Sequence, residues 1–317
     1  MDNGHHFREK LPVRLGEIAD PAPRRPPWAS LEPERKGTTM ARTWLITGTS
    51  SGFGYELAKA VLAHGDNVVA TARRPETLDE LVREHGERVR AVALDVTDAA
   101  AARDAVQVAV DAFGGLDVLV NNAGYAVSGS IEETPDEEFR AQLETNLFGV
   151  VNVTRAALPV LRRQRRGHVL QFSSIGGRVG GTPGLAAYQT AKFGVEGFSE
   201  VLASEVAPFG VKVTIVEPGG FRTQWSAGAG RTAAPVGADY QATVGRFLQF
   251  RESYQGSEPG DPVRAAQVLI DLVDAAEPPR RLLLGTDALQ RAREAEHARL
   301  AETEAWADVT VSTDYPA

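Results

Sequence analysis

Short runs of β-branched and apolar residues alternate along this chain with longer segments of helical periodicity. Between residues 43 and 218 the runs are TWLIT, DNVVATA, VRAVALDV, LDVLVNNA, GHVLQFSS and VKVTIVEP. A strand that is followed by a helix and then by another strand forms a parallel pair, and parallel sheets need helices on both faces. The order therefore predicts a single α/β domain over residues 41–285, with a doubly wound, Rossmann-like parallel sheet and ligands beyond the carboxyl ends of its strands.

The segments outside this alternation are given separate expectations. Residues 1–40 are rich in Pro, Arg and Glu without apolar periodicity, which predicts a disordered N-terminal extension. An alternative translation start and an added extension would both explain that segment. Residues 222–262 interrupt the pattern with Gly, Ala and scattered aromatic residues, as a substrate loop or lid would. Residues 286–317 are predicted to form a charged helix and a tail at the domain edge.

Composition excludes several classes of protein. With 317 residues, 43% of them apolar, the chain can bury one large core. It has no cysteine, which excludes disulfides and thiolate chemistry, and its formal charge of −8 argues against a nucleic-acid partner. No membrane span and no secretory segment are predicted, because long apolar stretches are missing, so a cytoplasmic location is expected. The basic run Arg162–Arg166 precedes Gly167 and fits a helix end with a C′ glycine better than a nucleic-acid contact.

The first apolar run ends in a glycine-rich turn that leads into a helical segment. Gly48 permits the tight turn, while Gly52 and Gly54 let the backbone and the helix approach a pyrophosphate. A helix N-terminus there would offer free N–H groups and a positive dipole to that phosphate. A glycine-rich turn alone is more often only a turn, so its strand–turn–helix context carries the prediction.

Tyr188 and Lys192 lie four residues apart in a segment of helical periodicity. Both side chains should therefore project from one helix face toward one site. A nearby ammonium group favours the phenolate, so we expect Lys192 to lower the pKa of Tyr188 and make it a proton donor and acceptor. The same spacing in isolation would also fit a solvated surface pair.

Six motifs in one order resemble the short-chain dehydrogenase/reductase family, and the resemblance covers roughly residues 43–285. They are Thr47–Gly54, Asn121–Gly124, Asn146 in ETNLFGV, Ser173–Ser174, Tyr188–Lys192 and Pro218–Thr223. The resemblance implies hydride transfer between a nicotinamide cofactor and an alcohol or carbonyl carbon, with no metal.

The resemblance also implies roles for four catalytic residues. Tyr188 would exchange a proton with the substrate oxygen, and Lys192 would hold the nicotinamide ribose. Ser174 would hydrogen-bond the substrate oxygen, and Asn146 would position a water that links Lys192 to solvent. Ser174 stands 14 residues before Tyr188, one more than the resemblance implies, and an extra residue in GGRVGGTPG would explain the difference. Ser173 is the second choice for the serine.

The choice of cofactor depends on the end of the second strand. Ala72 stands where an acidic residue would bind the ribose hydroxyls of NAD. Arg73 follows it and could pair with the 2′-phosphate of NADP, with Arg74 as a second partner or a merely solvated side chain. We therefore expect NADP(H) to be preferred over NAD(H).

The remaining cofactor contacts are implied by the resemblance. Asp95 and Val96 would lie beside the adenine, although Asp95 or Thr97 could instead cap the following helix. The other implied contacts are Ser50, Ser51, Gly52, Phe53 and Gly54 in the first turn, Asn122, Ala123 and Gly124 after the fourth strand, and Pro218, Gly219, Phe221 and Thr223 after the sixth. The same Asn and Pro–Gly residues could also serve only to form turns.

The leading hypothesis is an NADP-dependent oxidoreductase that acts on the alcohol or ketone of a small or medium lipophilic molecule. The alternative is an inactive NAD(P)-binding regulatory or scaffold protein of the same fold, and an epimerase or dehydratase fits less well. The resemblance makes a homodimer or homotetramer through the Tyr188 helix the expected assembly. Six aromatic residues could line an apolar pocket, or form core and lid packing: Phe221, Trp225, Tyr240, Phe247, Phe250 and Tyr254.

Overall fold

The computed structural model describes residues 41–223 and 231–315, so the expectation for residues 1–40 lies outside the described residues. Seven strands form one fully parallel sheet in the order β3-β2-β1-β4-β5-β6-β7. The strands are β1 (Thr43–Thr47), β2 (Asn67–Ala72), β3 (Val89–Ala93), β4 (Val118–Asn121), β5 (Gly167–Phe172), β6 (Val211–Pro218) and β7 (Arg281–Leu284). The predicted doubly wound α/β fold is confirmed.

Helices connect these strands and cover both faces of the sheet. They are α1 (Gly52–His64), α2 (Asp79–His85), α3 (Ala99–Phe113), α4 (Asp136–Leu143), α5 (Gly149–Gln164), α6 (Ile175–Arg178), α7 (Ala186–Val206), α8 (Arg246–Tyr254), α9 (Pro262–Asp274), α10 (Thr286–Ala305) and α11 (Ala307–Val311). Short 3-10 turns lie at Pro75–Leu78, Gly86–Arg88, Ala207–Phe209 and Ala238–Tyr240, and π-helical turns at Glu144–Phe148 and Gln241–Gly245. None of the helices in the described ranges is both long and apolar enough to cross a bilayer.

Alternation along the strands divides the core into two layers. In β1, Trp44 and Ile46 pack on one face of the sheet with helices α1 and α9. Leu45, between them, packs on the other face with α3, α5 and α7. Successive side chains of a strand point to opposite faces, so a strand buried on both sides is apolar throughout. This is why the strands appear in the sequence as continuous apolar runs.

Two local features differ from the sequence-based expectations. Strand β7 was not predicted, because it is a four-residue edge strand with only Leu284 buried. Helix α5 ends with Arg165 in the left-handed conformation at φ 57°, so the expected C′ role of Gly167 is wrong. The Arg165 guanidinium donates to the carbonyl of Pro208 at 2.6 Å and lies over the ring of Phe209. These two contacts hold Arg165 in the left-handed conformation.

The expected loop at residues 222–262 contains regular structure. Helix α8 and two short turns lie within its described part, from residue 231 onward. This segment is attached to residues 132–138. Gly237 N donates to Glu133 Oε1 at 2.8 Å, and the Tyr240 hydroxyl donates to Glu132 Oε2 at 2.6 Å. The part of the segment that the structure describes is therefore a docked helical cover beside the carboxyl edge of the sheet.

Candidate active site

A cleft of about 1070 Å³ lies at the carboxyl ends of the strands. It is lined by residues that directly follow β1 to β6, as expected for a doubly wound sheet. Of the predicted site residues, those in the lining are Gly48, Ser50, Ser51, Gly52, Phe53, Arg73, Asp95, Val96, Asn122, Ala123, Gly124, Ser174, Tyr188, Lys192, Pro218, Gly219, Phe221 and Thr223. Gly54, Arg74 and Asn146 do not line it.

The glycine turn is built by close backbone approach. Gly48 and Gly52 have φ of 70° and 59°, a region that glycine adopts without a Cβ penalty. A Cβ on Gly54 would lie 2.3 Å from Gly48 O, so the helix α1 can contact the turn only through a glycine. The Asn122 amide donates to Thr47 O at 2.8 Å and to Gly48 O at 3.1 Å and fixes the turn from the neighbouring strand.

The residues of this turn fit a nucleotide phosphate. Helix α1 has thirteen residues, and Ser51 at its N-cap makes no side-chain capping bond. The N–H groups of the first turn therefore face the cleft without a capping side chain, as an anion site at a helix N-terminus requires. Arg73, at the end of β2, adds a cation to the same wall. These groups suit the pyrophosphate and ribose end of a nicotinamide dinucleotide.

Arg73 and Asp95 line the same cleft, and their charges interact. Arg73 is exposed and forms no ion pair with a described residue, while Ala72 before it is buried. Asp95 Oδ1 accepts from Thr97 N at 3.0 Å and from Thr97 Oγ1 at 2.7 Å. These bonds, and then the charge of Arg73, lower the pKa of Asp95. The alternative in which Asp95 or Thr97 caps α3 is wrong, because Asp98 accepts from Ala100 N and Ala101 N.

Tyr188 is buried at the centre of the cleft, in the first turn of α7. Burial raises its pKa to about 12, while a hydrogen bond with Ser174 and the charge of Arg251 act in the opposite direction. The pKa of Tyr188 is therefore raised, and the expectation that it is lowered is wrong. A buried phenolate loses more hydration than its neighbours replace, so the phenol stays protonated at neutral pH.

The two adjacent serines point to different partners. Ser174, the N-cap of α6, hydrogen-bonds Tyr188 and accepts from Gly176 N at 3.0 Å. The Ser173 hydroxyl donates to Glu196 Oε1 at 2.7 Å. Between α6 and α7, three glycines have positive φ: Gly180, Gly181 and Gly184. Turns of this kind fit the predicted additional residue between Ser174 and Tyr188, which stays a prediction.

Lys192 lies one turn beyond Tyr188 and is buried. Its Nζ donates to Phe172 O at 2.6 Å and lies 5.8 Å from the centroid of the Tyr188 ring. Burial lowers the pKa of Lys192 to about 8, although the carboxylate of Glu196 acts to raise it. Lys192 is therefore a partly desolvated ammonium group at the floor of the cleft, where a polar ligand can bind it.

Asn146 lies behind the cleft in the π-helical turn between α4 and α5. It is fully buried, and its side chain accepts from Tyr125 N at 3.0 Å and donates to Tyr125 O at 2.7 Å. A Cβ on Gly124 would lie 3.1 Å from Asn146 Oδ1 and 3.8 Å from Lys192 Nζ. The Asn146 side chain thus fixes the segment that separates it from Lys192, and its water-positioning role stays a prediction.

Known proteins resemble both the sequence and this arrangement. The family model described as short chain dehydrogenase matches residues 42–234. Oxidoreductase BOA17 of Botryotinia fuckeliana is 47% identical over 275 residues, which span 86% of this chain and 100% of that protein. The crystal structure of a short-chain dehydrogenase from Streptomyces avermitilis is 41% identical, with a TM-score of 0.79 over 87% of this chain and 100% of that one. The chain belongs to the short-chain dehydrogenase/reductase family.

This family member is an NAD(P)-dependent oxidoreductase that acts on CH–OH or C=O groups. A short-chain dehydrogenase/reductase from Burkholderia phymatum, whose crystal structure contains NAD, has the same fold at 22% identity. Its TM-score is 0.71 over 80% of this chain and 92% of that one.

An ion cluster lies behind the cleft, where Glu196 accepts a hydrogen bond from Ser173. It consists of the buried Glu196 and Glu217 and the partly exposed Arg178 and Arg281. Arg281 binds Glu217 Oε1 at 2.7 Å and also contacts Glu196, while Arg178 binds Glu217 Oε2 at 2.9 Å. Burial raises the pKa of Glu196, and its bonds to Arg281 and Ser173 oppose that change. The cluster joins strand β7 to the Ser173 and Pro218 strand ends. It was not predicted, because its charges come from distant parts of the chain.

Residues on and around α8 form the far wall of the cleft, and most of them were not predicted. Those that line it are Arg231, Thr232, Leu248, Arg251, Glu252, Tyr254, Gln255 and Glu258. Of the six aromatic candidates, Phe221 and Tyr254 line the cleft, and Phe221 packs on Phe53 with ring centroids 4.7 Å apart. Phe247, Phe250 and Tyr240 are outside the lining, and Trp225 lies outside the described residues. This wall carries charged groups as well as apolar ones.

Proposed function

We propose that this protein is an NADP-dependent reductase that transfers a hydride to the carbonyl carbon of a small or medium molecule with an apolar body. The observation that carries the proposal is Tyr188, bonded to Ser174 and one turn from Lys192, in the same cleft as the glycine turn. When bound, the nicotinamide supplies the hydride. Tyr188, Ser174 and Lys192 are the proposed catalytic residues, and Asn146 is a positioning residue.

The protonation state of Tyr188 supports carbonyl reduction at neutral pH. With its pKa raised to about 12 by burial, the phenol holds its proton and can donate it to an oxygen that gains negative charge. Ser174, which hydrogen-bonds Tyr188, is near enough to donate a second hydrogen bond to that oxygen. Lys192 supplies positive charge beneath both groups and stabilises the developing anion.

The catalytic proposal is tested with purified protein, NADPH and a panel of ketones and aldehydes. We expect NADPH oxidation that falls roughly 10²- to 10⁴-fold in Tyr188→Phe, because general acid catalysis is lost while the cleft keeps its shape. NADPH binding, followed by its fluorescence, should be unchanged in that variant. Nucleotide binding without turnover that depends on Tyr188 would instead support the inactive binding protein.

The preference for NADP rests on Arg73. It is exposed on the cleft wall beside a buried Ala72, so no acidic side chain at that position repels a 2′-phosphate. Arg74 follows it but does not line the cleft, which favours Arg73 as the main partner.

Cofactor choice is tested by measuring kcat/KM for NADPH and for NADH in wild type and Arg73→Ala. We expect the ratio of NADPH to NADH efficiency to fall roughly tenfold to hundredfold, the range of a lost bond to a charged group. Arg83→Ala, a change of an exposed arginine on α2, is the control and should leave the ratio unchanged. An unchanged ratio in Arg73→Ala would defeat the assignment.

A homodimer or homotetramer and a cytoplasmic location are also proposed. On α7, Phe193 and Val201 are exposed by 44% and 59%, whereas Val195 and Leu202 of the same helix are buried. An exposed apolar stripe on this helix supports an assembly through it. Light scattering of the purified protein tests this proposal, and a monomer at micromolar concentration would contradict it.

A further inference from the structure

One cation on the far wall of the cleft has no carboxylate partner among the residues that the structure describes. Arg251, on α8, is half-buried and lines the cleft together with Tyr188. The hydrogen bond that it makes to a described residue runs from Nη1 to Ser128 Oγ at 2.9 Å, and its guanidinium lies 5.7 Å from the centroid of the Phe247 ring. A guanidinium has five N–H donors, so these contacts leave most of its donors for another group.

The other charged groups of this wall do not neutralise Arg251. Arg231 is paired with Glu138 at 2.7 Å. Glu252 is exposed, and the buried Glu258 accepts from Gly256 N at 2.7 Å. No described carboxylate lies within ion-pair distance of Arg251. Partly burying a guanidinium costs hydration, and a bound anion would restore the lost interaction.

Arg251 and Tyr188 also affect each other's pKa, which indicates that the two side chains are close in the cleft. Burial lowers the pKa of Arg251, and the charge of Arg251 in turn acts to lower the pKa of Tyr188. The two side chains therefore share one electrostatic environment in the cleft. An anionic group on Arg251 and a carbonyl oxygen on Tyr188 can belong to a single small molecule.

We propose that the substrate carries a carboxylate besides its carbonyl group, and that Arg251 binds this carboxylate. The planar guanidinium matches a carboxylate in shape and charge, as no neutral side chain of this wall does. Leu248 and Tyr254 line the same wall and would contact the apolar body. The substrate class is therefore an oxo acid or the corresponding hydroxy acid. This inference rests on the proposed reductase function.

Three pairs of ketones test the inference with the full-length protein. Benzoylformate, 3-benzoylpropionate and 4-benzoylbutyrate are each compared with their methyl ester as substrates for NADPH oxidation. They share an aromatic body and differ in the separation between the ketone and the carboxylate. The variants are Arg251→Met and, as the matched control, Arg246→Met, which removes an exposed arginine from the same helix.

In wild type we expect kcat/KM for at least one acid to exceed that for its ester by tenfold or more. Arg251→Met should lose this advantage and keep the ester activity within roughly threefold, while Arg246→Met should retain it. Thermal unfolding of each variant checks that the fold is intact. Equal or better use of the ester in all three pairs would overturn the inference. An equal loss of kcat/KM for acid and ester in Arg251→Met would also overturn the inference. Arg251 would then affect catalysis only through its charge near Tyr188.

A binding measurement separates this inference from the proposed function. In Tyr188→Phe protein saturated with NADPH, acids and esters are titrated while the fluorescence of bound NADPH is followed. Acid binding that needs Arg251, without turnover of any ketone by wild type, would support the carboxylate site and reject the reductase. Turnover of esters that needs Tyr188, with no advantage for acids, would support the reductase and reject the carboxylate site.

Discussion

The two halves of the cleft are built in different ways. The nucleotide half consists of backbone and small side chains at strand ends, such as Gly48, Gly54 and Ala123, with a Cβ on Gly48 coming within 2.9 Å of Ala123 Cα. The substrate half consists of long side chains from α8 and its neighbours, such as Arg251 and Tyr254. Close backbone approach allows one residue type at each position, whereas a wall of side chains allows many. The residues of the nucleotide half can therefore be predicted from the sequence, and those of the substrate half cannot.

The attachments of the two halves differ as well. Asn122 fixes the glycine turn through partly buried bonds to backbone carbonyls. The substrate half is attached by backbone hydrogen bonds to Ser128 and by several exposed contacts to residues 132–138, including the ion pair of Arg231 with Glu138. Exposed contacts contribute little stability each, so the substrate half can change without unfolding the sheet. Substitutions in each half should therefore differ in their effects on stability and on activity.

The largest effect is expected at the ion cluster that joins β7 to the strand ends of Ser173 and Pro218. Arg281→Met removes the cation between Glu196 and Glu217, which are buried. Breaking a buried pair by removing one partner costs about 3–5 kcal/mol of unfolding free energy, because the remaining charge loses its partner. The neighbouring Arg280→Met, which breaks an exposed pair with Glu200, should cost less than about 1 kcal/mol. Chemical denaturation measures both values.

The loss in Arg281→Met should depend on pH. Burial raises the pKa of Glu196 above its value in the unfolded chain, and removing Arg281 raises it further. A carboxyl whose folded pKa is raised binds its proton in the folded state, so stability falls as pH rises through that pKa. The difference from wild type should therefore be larger at pH 8 than at pH 5. An equal loss at both values would mean that the variant loses packing and not charge compensation.

The next effect is confined to the nucleotide half. In Gly54→Ala the new methyl group would stand 2.3 Å from Gly48 O and 2.7 Å from Asn122 Nδ2, so the turn must move. We expect kcat/KM for NADPH to fall roughly a hundredfold. The unfolding free energy should fall by about 1–3 kcal/mol, the usual cost of overpacking. Kinetics and denaturation check the two values, and normal NADPH binding would show that the phosphate does not lie at this turn.

The same contrast explains what the sequence could predict. Apolar runs predicted six of the seven strands, most of them buried on both faces. Strand β7 was not predicted, because it has four residues, of which only Leu284 is buried. The nucleotide side of the cleft could be predicted because glycines mark close approach. No sequence pattern marks Arg251, because its proposed role depends on where α8 packs and on the absence of a nearby carboxylate among the described residues.

For Tyr188, the sequence predicted the position of the side chain but not the direction of its pKa shift. Its spacing from Lys192 correctly placed both side chains on one helix, in one cleft. The direction of its pKa shift was wrong, because the depth of burial is a property of the whole fold and outweighs one neighbouring cation. Likewise, only the folded chain separates the partner of Ser173 from that of Ser174.

A smaller effect is expected in the substrate half. Glu138→Gln breaks the exposed ion pair with Arg231, a residue that lines the cleft. We expect the KM of the carbonyl substrate to rise by up to about fivefold, the equivalent of the ~1 kcal/mol of an exposed pair. The KM for NADPH and the unfolding temperature should stay unchanged. Glu137→Gln, an exposed neighbour, is the control, and a matching rise in the KM for NADPH would contradict the separation of the halves.

The smallest effect is expected outside both halves, at Gly197 in the middle of α7. A Cβ there meets no atom within 4 Å, in contrast to Gly54. Gly197→Ala should therefore raise the unfolding free energy by roughly half a kcal/mol, because alanine has less backbone freedom to lose on folding. Activity should not change. A loss of stability, accompanied by a lower mass in light scattering, would mean that a second copy of the chain fills the space beside this exposed face of α7.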